Sequence, residues 1–589
     1  MTENWVLFMK KAPFYDWSRK FGIDPVIARI IRNRDILTEE EVDRYLNGSL
    51  DDLYDPALLG GLERAAVILR EKIRSRARIR IIGDYDIDGV CASYILWKGI
   101  TQLGGCADCD IPDRIADGYG LNARLIEKAF EQDADTILTC DNGISAVSQI
   151  AYAKKLGMTV IVTDHHEPMY EETDGQKNWL LPSADVLVDP KLPGDTYPFR
   201  EICGAVVAWK LIQQLYRLFQ KAPDEYLEML PAAAFATVGD VMELRDENRI
   251  IVKYGLRALE TTKQYGFAAL RRACGLDGKT LSAYHIGFVM GPCLNAGGRL
   301  DTAKRSLALL MSGSEQEADS YAAELRELNE ERKDLTQQGI DMGCSQIEDG
   351  TRYRDKIYVV YLPSVHESIA GIIAGKLRER YNHPCIVLTD AQEPGMIKGS
   401  GRSIEAYPMF DGLVRCADLL EKFGGHPMAA GMSLKRENLE LFRKTLNDQA
   451  DLTDEDFRKK VMIDVRLPVR YLTTQFAEAL SCIEPCGKGN EKPLFAEKDL
   501  LVRRISVIGR NRNALRLLLE GEGRVSVEAM LFSDPEVFLD YIRAKFGPEM
   551  TERALQGRDN SVRISITYYP HINEYRGTQS LQIIISGYR

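Results

Sequence analysis

Apolar positions in residues 78–240 fall into short runs, and amphipathic stretches separate them. Arg78–Ile82, Thr136–Cys140, Thr159–Thr163 and Val186–Val188 read as buried strands. Ala233–Val238 continues the series as a strand or a helix. Val90 to about Leu103 and Ala146 to Leu156 carry apolar residues at helical spacing. Strand, helix, strand in this order predicts a parallel sheet covered on both faces. The strand ends then share one edge, where open α/β sheets bind their ligands. That edge collects Asp84, Asp86 and Asp88 after the first run, Asp141 after the second, and Asp164-His165-His166 after the third. Asp189 and Asp240 follow the last two.

The rest of the chain has other rhythms. Residues 1 to about 72 read as helical, with starts at Asp24-Pro25 and at Thr38-Glu39-Glu40-Glu41, and carry no evident chemistry. Residues 314–348 are charged and unbroken by proline, which predicts one long solvated helix joining two lobes. Its apolar stripe is too thin for a coiled-coil dimer. A second α/β unit opens at Ile357–Leu362, continues in the helix Ile369–Leu377, and holds Ser400-Gly401-Arg402-Ser403 and Gly424-Gly425-His426-Pro427. Its glycines let a backbone approach a substrate closely. A helical connector is expected over 456–485. Beyond it, five short runs predict a small closed barrel: Leu500–Ile508, Ala514–Leu519, Val525–Phe532, Val562–Tyr569 and Leu581–Ile585. The expected domains are a helical region 1–72, a metal-binding domain 73–313, the helix 314–348, a substrate-binding domain 349–455, and a connector with barrel 456–589.

Composition narrows the function. With 589 residues and 45% hydrophobic content the chain can bury several cores. No apolar run reaches about 18 residues, so no membrane span is expected. The first residues, Met1 to Trp5, lack the apolar core of a signal peptide. Twelve scattered cysteines read as reduced thiols of a cytoplasmic protein. Cys106-x-x-Cys109 has no second pair in zinc register. A net charge of −11 argues against a general nucleic-acid coat, but residues 461–589 hold 18 basic and 16 acidic residues. Arg503, Arg504, Arg510, Arg512 and Arg516, with Tyr568, Tyr569 and Tyr575, give that barrel charge and stacking surface for unpaired nucleotides.

The chemistry centres on Asp84, Asp86 and Asp88. Three acids in five residues repel one another unless cations sit between them. A calcium loop of the EF-hand type fails, because its twelfth position is Ile95 and a strand precedes it. Taken singly, Asp141 can cap a helix, Asp164 can be a turn residue, and the two histidines can be one ligand and one core residue. Together they form an oxygen-rich set with imidazole, which favours manganese or magnesium over zinc. Two such ions about 4 Å apart promote in-line displacement at phosphorus.

Asp84-Tyr85-Asp86-Ile87-Asp88-Gly89 with Asp164-His165-His166 resembles the DHH phosphoesterase superfamily. Pro112 to Leu121 and Gly291-Pro292-Cys293-Leu294-Asn295-Ala296-Gly297-Gly298-Arg299 resemble blocks of its RecJ branch, single-strand-specific 5′→3′ DNA exonucleases. The second α/β unit resembles the DHH-associated domain. Glu484 to Phe495 resembles the branch's approach to an OB-fold, with Cys486 and Glu491 in place of the usual Phe and second Pro. The resemblance implies that Asp84, Asp86, Asp88, Asp141, His165 and Asp240 hold two Mn2+ or Mg2+ ions. Asp86, Asp164 and His166 are implied in catalysis, with His166 polarising the scissile phosphate. Arg114, Asn295, Arg299, His366, Ser400, Arg402, Gly424, Gly425 and His426 are implied to bind substrate. One departure stands at Cys293, where the branch usually has arginine. A thiol makes no charge-assisted fork with phosphate, so this chain binds DNA more weakly or uses a neighbour such as Arg299.

The reading is a cytoplasmic, monomeric two-metal exonuclease of DNA repair and recombination, with α/β lobes and a C-terminal OB-fold. Its partners are single-stranded DNA and a helicase or single-strand-binding protein, with no membrane. Two rivals stay open: a DHH phosphodiesterase of short oligoribonucleotides, cyclic dinucleotides or pyrophosphate, and a catalytically silent DHH protein that binds nucleic acid.

Overall fold

A computed structural model describes residues 3–114, 117–173, 176–349, 352–509, 511–575 and 577–589. The chain packs as two units: Leu53–Met242 with Ile250–Arg458, and Met1–Asp52 with Glu243–Arg249 and Lys459–Arg589.

In the first unit five parallel strands stand in the order Cys106–Asp110, Arg78–Ile82, Thr136–Cys140, Thr159–Thr163, Val186–Val188. The first of them in sequence is second in space. The chain turns from it to one edge and then crosses to the other side. That reversal opens a crevice between Arg78–Ile82 and Thr136–Cys140 at their carboxyl ends. The strand Cys106–Asp110 is not legible as an apolar run, because it is a polar edge paired through Arg80 and Asp108. Ala233–Val238 lies in a helix, Leu230–Gly239, and not in a strand. Pro231 fits its first turn and the alanines favour helix.

The long helix runs from Glu315 to Glu348, and Ser314 caps it by accepting from Glu317 N. Leu325 packs near Gly297 of the metal lobe, and Gly339 and Gly343 lie against Ile373 and Leu377 of the second lobe. It therefore braces both lobes. The second lobe is a mixed sheet ordered Lys422–His426, Ala429–Lys435, Met396–Arg402, Cys385–Asp390, Tyr358–Tyr361. The helix Glu367–Tyr381 covers part of one face. Among the described residues no helix is long and apolar enough to cross a membrane.

The second unit joins the two ends of the chain. Phe495–Ile508, Ala514–Glu520, Ser526–Leu531, Thr578–Tyr588 and Arg563–Tyr575 pair in that order, and the last closes on the first to make a five-stranded barrel. Two unexpected helices, Pro535–Phe546 and Pro548–Leu555, fall between its third and fourth strands in sequence. The expected helical connector is instead two short strands, Lys460–Ile463 and Val465–Arg466, then brief helical turns between Val469 and Ile483. Val461, Ile463 and Val465 are β-branched, and Pro468 breaks the run. Asn4–Leu7 pairs in parallel with Lys460–Ile463.

Helices Phe14–Phe21, Pro25–Asn33 and Glu39–Asn47 place Trp17, Ile27, Ile30, Ile31 and Val42 in one core with Phe495, Leu500, Val502 and Tyr568. Asp464 anchors the junction. Both its oxygens accept from the buried Arg34 guanidinium, at 2.7 and 3.1 Å, and it also accepts from Asn33 Nδ2 and Leu494 N. Replacing Arg34 by Met leaves that carboxylate buried without its cation. We expect a loss of about 3 kcal/mol in this unit, read by urea denaturation on the fluorescence of the buried Trp17. An unchanged midpoint would mean that the N-terminal helices do not depend on the pair.

Candidate metal centre

The first strand ends at Ile82 and the next helix begins at Ile87, so Asp84 and Asp86 occupy the turn between them. Asp86 caps that helix, accepting from Asp88 N and Gly89 N. Gly89 has no side chain because the Asp84 backbone lies against it. Asp88, already inside the helix, turns to a second helix, Gly204–Leu218. Its two oxygens accept from Gly204 N at 2.7 Å and Ala205 N at 2.8 Å, where the helix terminus favours negative charge.

Asp141 follows the strand Thr136–Cys140 with φ 59°, a left-handed conformation open to Asp but costly. Its carboxylate lies 3.1 Å from His165 Nε2. The same nitrogen lies 3.5 Å from Asp88 and 3.8 Å from Asp240, the C-cap of Leu230–Gly239. Asp240 thus converges from a helix end rather than a strand end. Three overlapping groups bring ligand atoms within 4.8 Å of one another: Asp84, Asp86 and Asp141; Asp88, His165 and Asp240; Asp141, His165 and His166. Asp84, Asp88 and Asp141 are 1%, 0% and 2% exposed, which excludes a solvated acidic turn.

Crowding shows in the proton affinities. Burial, with Asp86 beside it, pushes Asp84 up to about 8. Burial and Asp88 raise Asp86, and burial with four neighbouring acids raises Asp141 well above the ordinary range. Burial lowers His165, so its imidazole is neutral and suited to a cation. Asp84 Oδ1 and His165 Nδ1 are buried and have no hydrogen-bond partner. Carboxylates that resist ionisation and orphaned donor atoms are what a site built for divalent cations presents without them.

His166 is held differently. Its Nδ1 lies 2.8 Å from Asp164, which also accepts from His165 N and Ile144 N. Burial opposes the His166 charge, but Asp164's hydrogen bond and charge outweigh it, bringing His166 up to about 9. Burial likewise opposes the Asp164 charge, yet His166 keeps that acid below its ordinary value. Two groups escaped the sequence reading, and a third is given no role in it. Tyr119 donates its hydroxyl to Asp141 O at 3.0 Å and lies 3.3 Å from His166. Gly204 and Ala205 hold Asp88. Asp189, already visible as a strand-end acid, is buried with one oxygen unpartnered, and burial pushes it up to about 8.

The expected substrate residues fall into three places. Arg114 lies 4.8 Å over the Tyr85 ring, close enough to Arg299 and His366 to lower the pKa of each. Burial, then Arg114 and Arg332, brings Arg299 down to about 10, a cation short of anions. Arg299 donates to Ser368 O at 3.0 Å and so ties the lobes together. Asn295 is half-buried on the same helix, Gly291–Leu300. Ser400 and Arg402 lie against Gly371 of the second lobe's helix. Gly424, Gly425 and His426 form an exposed edge strand, with Gly424 aligned to Gly431 and Ser400, and His426 to Ala429 and Arg402. Cys293 is buried and points to Val289 O, away from solvent.

On the barrel, Tyr568 is fully buried and bonds Leu467 O, so it is core and not a stacking surface. Arg503 is engaged by Glu520 and Asp559, whereas Arg504, Arg512 and Arg516 are exposed. Arg510 and the Tyr575 side chain lie outside the described residues.

Family models match along the chain: the DHH family N-terminal domain at 78–236, the DHHA1 domain at 354–451 and the RecJ OB domain at 463–587. The single-stranded-DNA-specific exonuclease RecJ of Bacillus subtilis is 34% identical over 96% of this chain and 68% of its own length. That of Escherichia coli is 32% identical over 96% and 95%. The crystal structure of RecJ from Thermus thermophilus in complex with Mn2+ superimposes with a TM-score of 0.78 at 25% identity, covering 100% of this chain and 79% of that one.

Asp84 binds its proton more tightly in the fold, at about 8, than at its ordinary 3.8. From about pH 4 to about pH 8 the unfolded state holds fewer protons, so the metal-free fold loses stability as pH rises. Asp84→Asn carries no charge to repel. We expect its metal-free form to melt at least about 4 °C above the parent at pH 8, with the gap vanishing near pH 4. Its manganese-dependent hydrolysis should fall more than about 100-fold. Parallel melting curves across pH would overturn this account of the repulsion.

Proposed function

We propose the following chemistry for a chain that belongs to the RecJ family of single-stranded-DNA-specific exonucleases. It hydrolyses phosphodiester bonds of single-stranded DNA from the 5′ end, in DNA repair and recombination. The observation that carries this reading is the set of three overlapping acid and imidazole groups at the strand ends. Two Mn2+ or Mg2+ ions, when bound there, supply the Lewis acidity and charge neutralisation for in-line attack of water at phosphorus. Asp84, Asp86, Asp88, Asp141, His165 and Asp240 would hold them.

The chain's own groups do the rest. His166, kept protonated by Asp164, gives its Nε2–H, beside the Tyr119 hydroxyl, to a non-bridging oxygen of the scissile phosphate. Tyr119 fixes the Asp141 backbone behind it. Arg299, whose charge burial and then Arg114 make costlier, gains most when an anion arrives between the two arginines. Arg114, Ser400 and Arg402 hold the terminal 5′ phosphate, with His366 close to Arg114. Gly424 leaves open space above the edge strand, where the backbone can meet a nucleotide, and His426 donates alongside. In this reading residues 73–313 are the catalytic domain, 349–455 the substrate-binding domain, and 456–589 grips the strand beyond the cut. The enzyme works in the cytoplasm as a monomer, and a helicase or single-strand-binding protein is the class of partner that presents unpaired DNA to it.

Labelled single-stranded DNA with manganese, set against a cyclic dinucleotide and a chelator control, tests the activity. Dinucleotide hydrolysis alone would favour a small-substrate phosphodiesterase, and no hydrolysis at all a silent binding protein. If Arg114, Ser400 and Arg402 read a terminal phosphate, a 5′-phosphorylated strand should be degraded about tenfold faster than a 5′-hydroxyl strand, the worth of one charge-assisted hydrogen bond. Arg402→Ala should shrink that ratio. Equal rates, unchanged in the variant, would remove these residues from the site.

The barrel is tested by substitution, because its core includes the N-terminal helices and truncation would expose them. Arg504 and Arg516 are exposed on adjoining strands, Ser506 pairing with Arg516 and Arg504 with Leu518. Removing both should flatten the slope of log affinity against log salt by about 1.4, two single-strand phosphate contacts. Binding to a long strand is measured with Asp141→Ala as background so that the DNA survives. An unchanged slope would mean that this barrel face does not touch DNA.

A further inference from the structure

Two of the twelve cysteines bring their sulfurs together away from the metal centre. Cys274 caps the helix Tyr265–Ala273, and Cys293 lies in the first turn of Gly291–Leu300. Their Sγ atoms are 3.8 Å apart, and both face one carbonyl, Val289 O, at 3.9 Å from Cys274 and 3.4 Å from Cys293. Cys293 is buried, whereas Cys274 is partly exposed. Arg326 of the long helix donates to Ala273 O at 2.6 Å, which sets its guanidinium beside Cys274. The Cys293 thiol, then Arg326 and Lys333, lower the Cys274 pKa, while contact with Cys274 and burial raise that of Cys293. One sulfur is thus accessible and closer to thiolate, and the other is a protected thiol within reach. This is the arrangement of an oxidisable thiol with its resolving partner.

We propose that Cys274 and Cys293 are a peroxide-oxidisable dithiol, closing into a disulfide beneath the helix that carries Asn295 and Arg299. The Cys274 thiolate attacks a hydroperoxide, forming an S–O bond as the O–O bond breaks, and the other oxygen leaves as water or alcohol. The Cys293 sulfur then attacks the sulfenic sulfur. An S–S bond forms, the S–O bond breaks, and the hydroxyl leaves as water with the thiol proton. Two thiols and one hydroperoxide give one disulfide, one water and one water or alcohol.

The bond needs the sulfurs about 2 Å apart, so they must close by nearly half of their present 3.8 Å. Movement of Cys293 is transmitted along its own helix. Gly298 of that helix lies against the Tyr85 backbone in the acidic turn, and Arg299 bonds Ser368 O of the second lobe. Closure therefore disturbs the joint between the metal lobe and the substrate lobe. This effect on hydrolysis rests on the nuclease reading above; the bond itself does not.

The test uses the full chain loaded with manganese, treated with hydrogen peroxide, alkylated and mapped by mass spectrometry, with hydrolysis of labelled single-stranded DNA followed in parallel. We expect a Cys274–Cys293 cross-link and a fall in rate of about tenfold or more, as for a misplacement of about 1 Å. Dithiothreitol should reverse both. Cys274→Ser, and independently Cys293→Ser, should hydrolyse DNA at the parental rate and keep it under peroxide. The proposal is overturned if both cysteines remain alkylatable after oxidation, or if either variant loses activity to peroxide as the parent does. A cross-link with an unchanged rate would overturn the coupling to the lobes. If the reduced protein does not cut DNA at all, the nuclease reading fails and the mapping still decides the dithiol.

Discussion

Buried acids of like charge cannot stand together without compensation, and the metal lobe is arranged around that constraint. Three of the carboxylates at the sheet edge are met by something fixed. Asp88 faces the amides of a helix N-terminus, Asp86 faces the first amides of its own helix, and Asp164 faces His166. Asp84 and Asp141 are left under-compensated, and their raised proton affinity records it. A left-handed residue at Asp141 and a glycine at 89 are local costs of bringing these groups within reach of one another. The folded scaffold supplies the stability that this centre withdraws, as functional sites commonly require.

The parts of this centre that share a strand were legible in the chain. Asp84, Asp141 and His165 follow apolar runs of fixed period, and a parallel sheet must align such ends. Asp240 could be named but not placed, because an alanine-rich apolar run is equally a buried helix or a buried strand. The groups that hold Asp88 were not legible at all. Gly204 and Ala205 lie 116 and 117 residues away and act through backbone amides, which leave no mark on side-chain chemistry.

Similar reasons account for the remaining differences. The edge strand Cys106–Asp110 mixes small and acidic residues and has no apolar signature. Glycines at 424 and 425 carry no strand signature, yet the backbone there pairs as an edge strand. On the barrel, Tyr568 and Tyr569 are equivalent in composition but opposite in parity. A strand turns successive side chains to opposite faces, so one is core and the other is free to meet Lys492, 3.6 Å above its ring.

The unit made from both chain ends sets an order on biosynthesis. Asn33 bonds to Asp464, 431 positions later. At roughly 5–20 residues per second of synthesis, the N-terminal helices wait about 20–90 s for that partner. Leu53–Met242 and most of the residues up to Arg458 emerge in the interval and can pack among themselves. Trp17, Ile27, Ile30 and Ile31 meanwhile have no barrel to cover them, so the nascent chain carries an adhesive apolar face until the barrel strands leave the ribosome. Chaperones that shield such faces during translation therefore have their longest task on this protein at its first helices, not at its catalytic lobe.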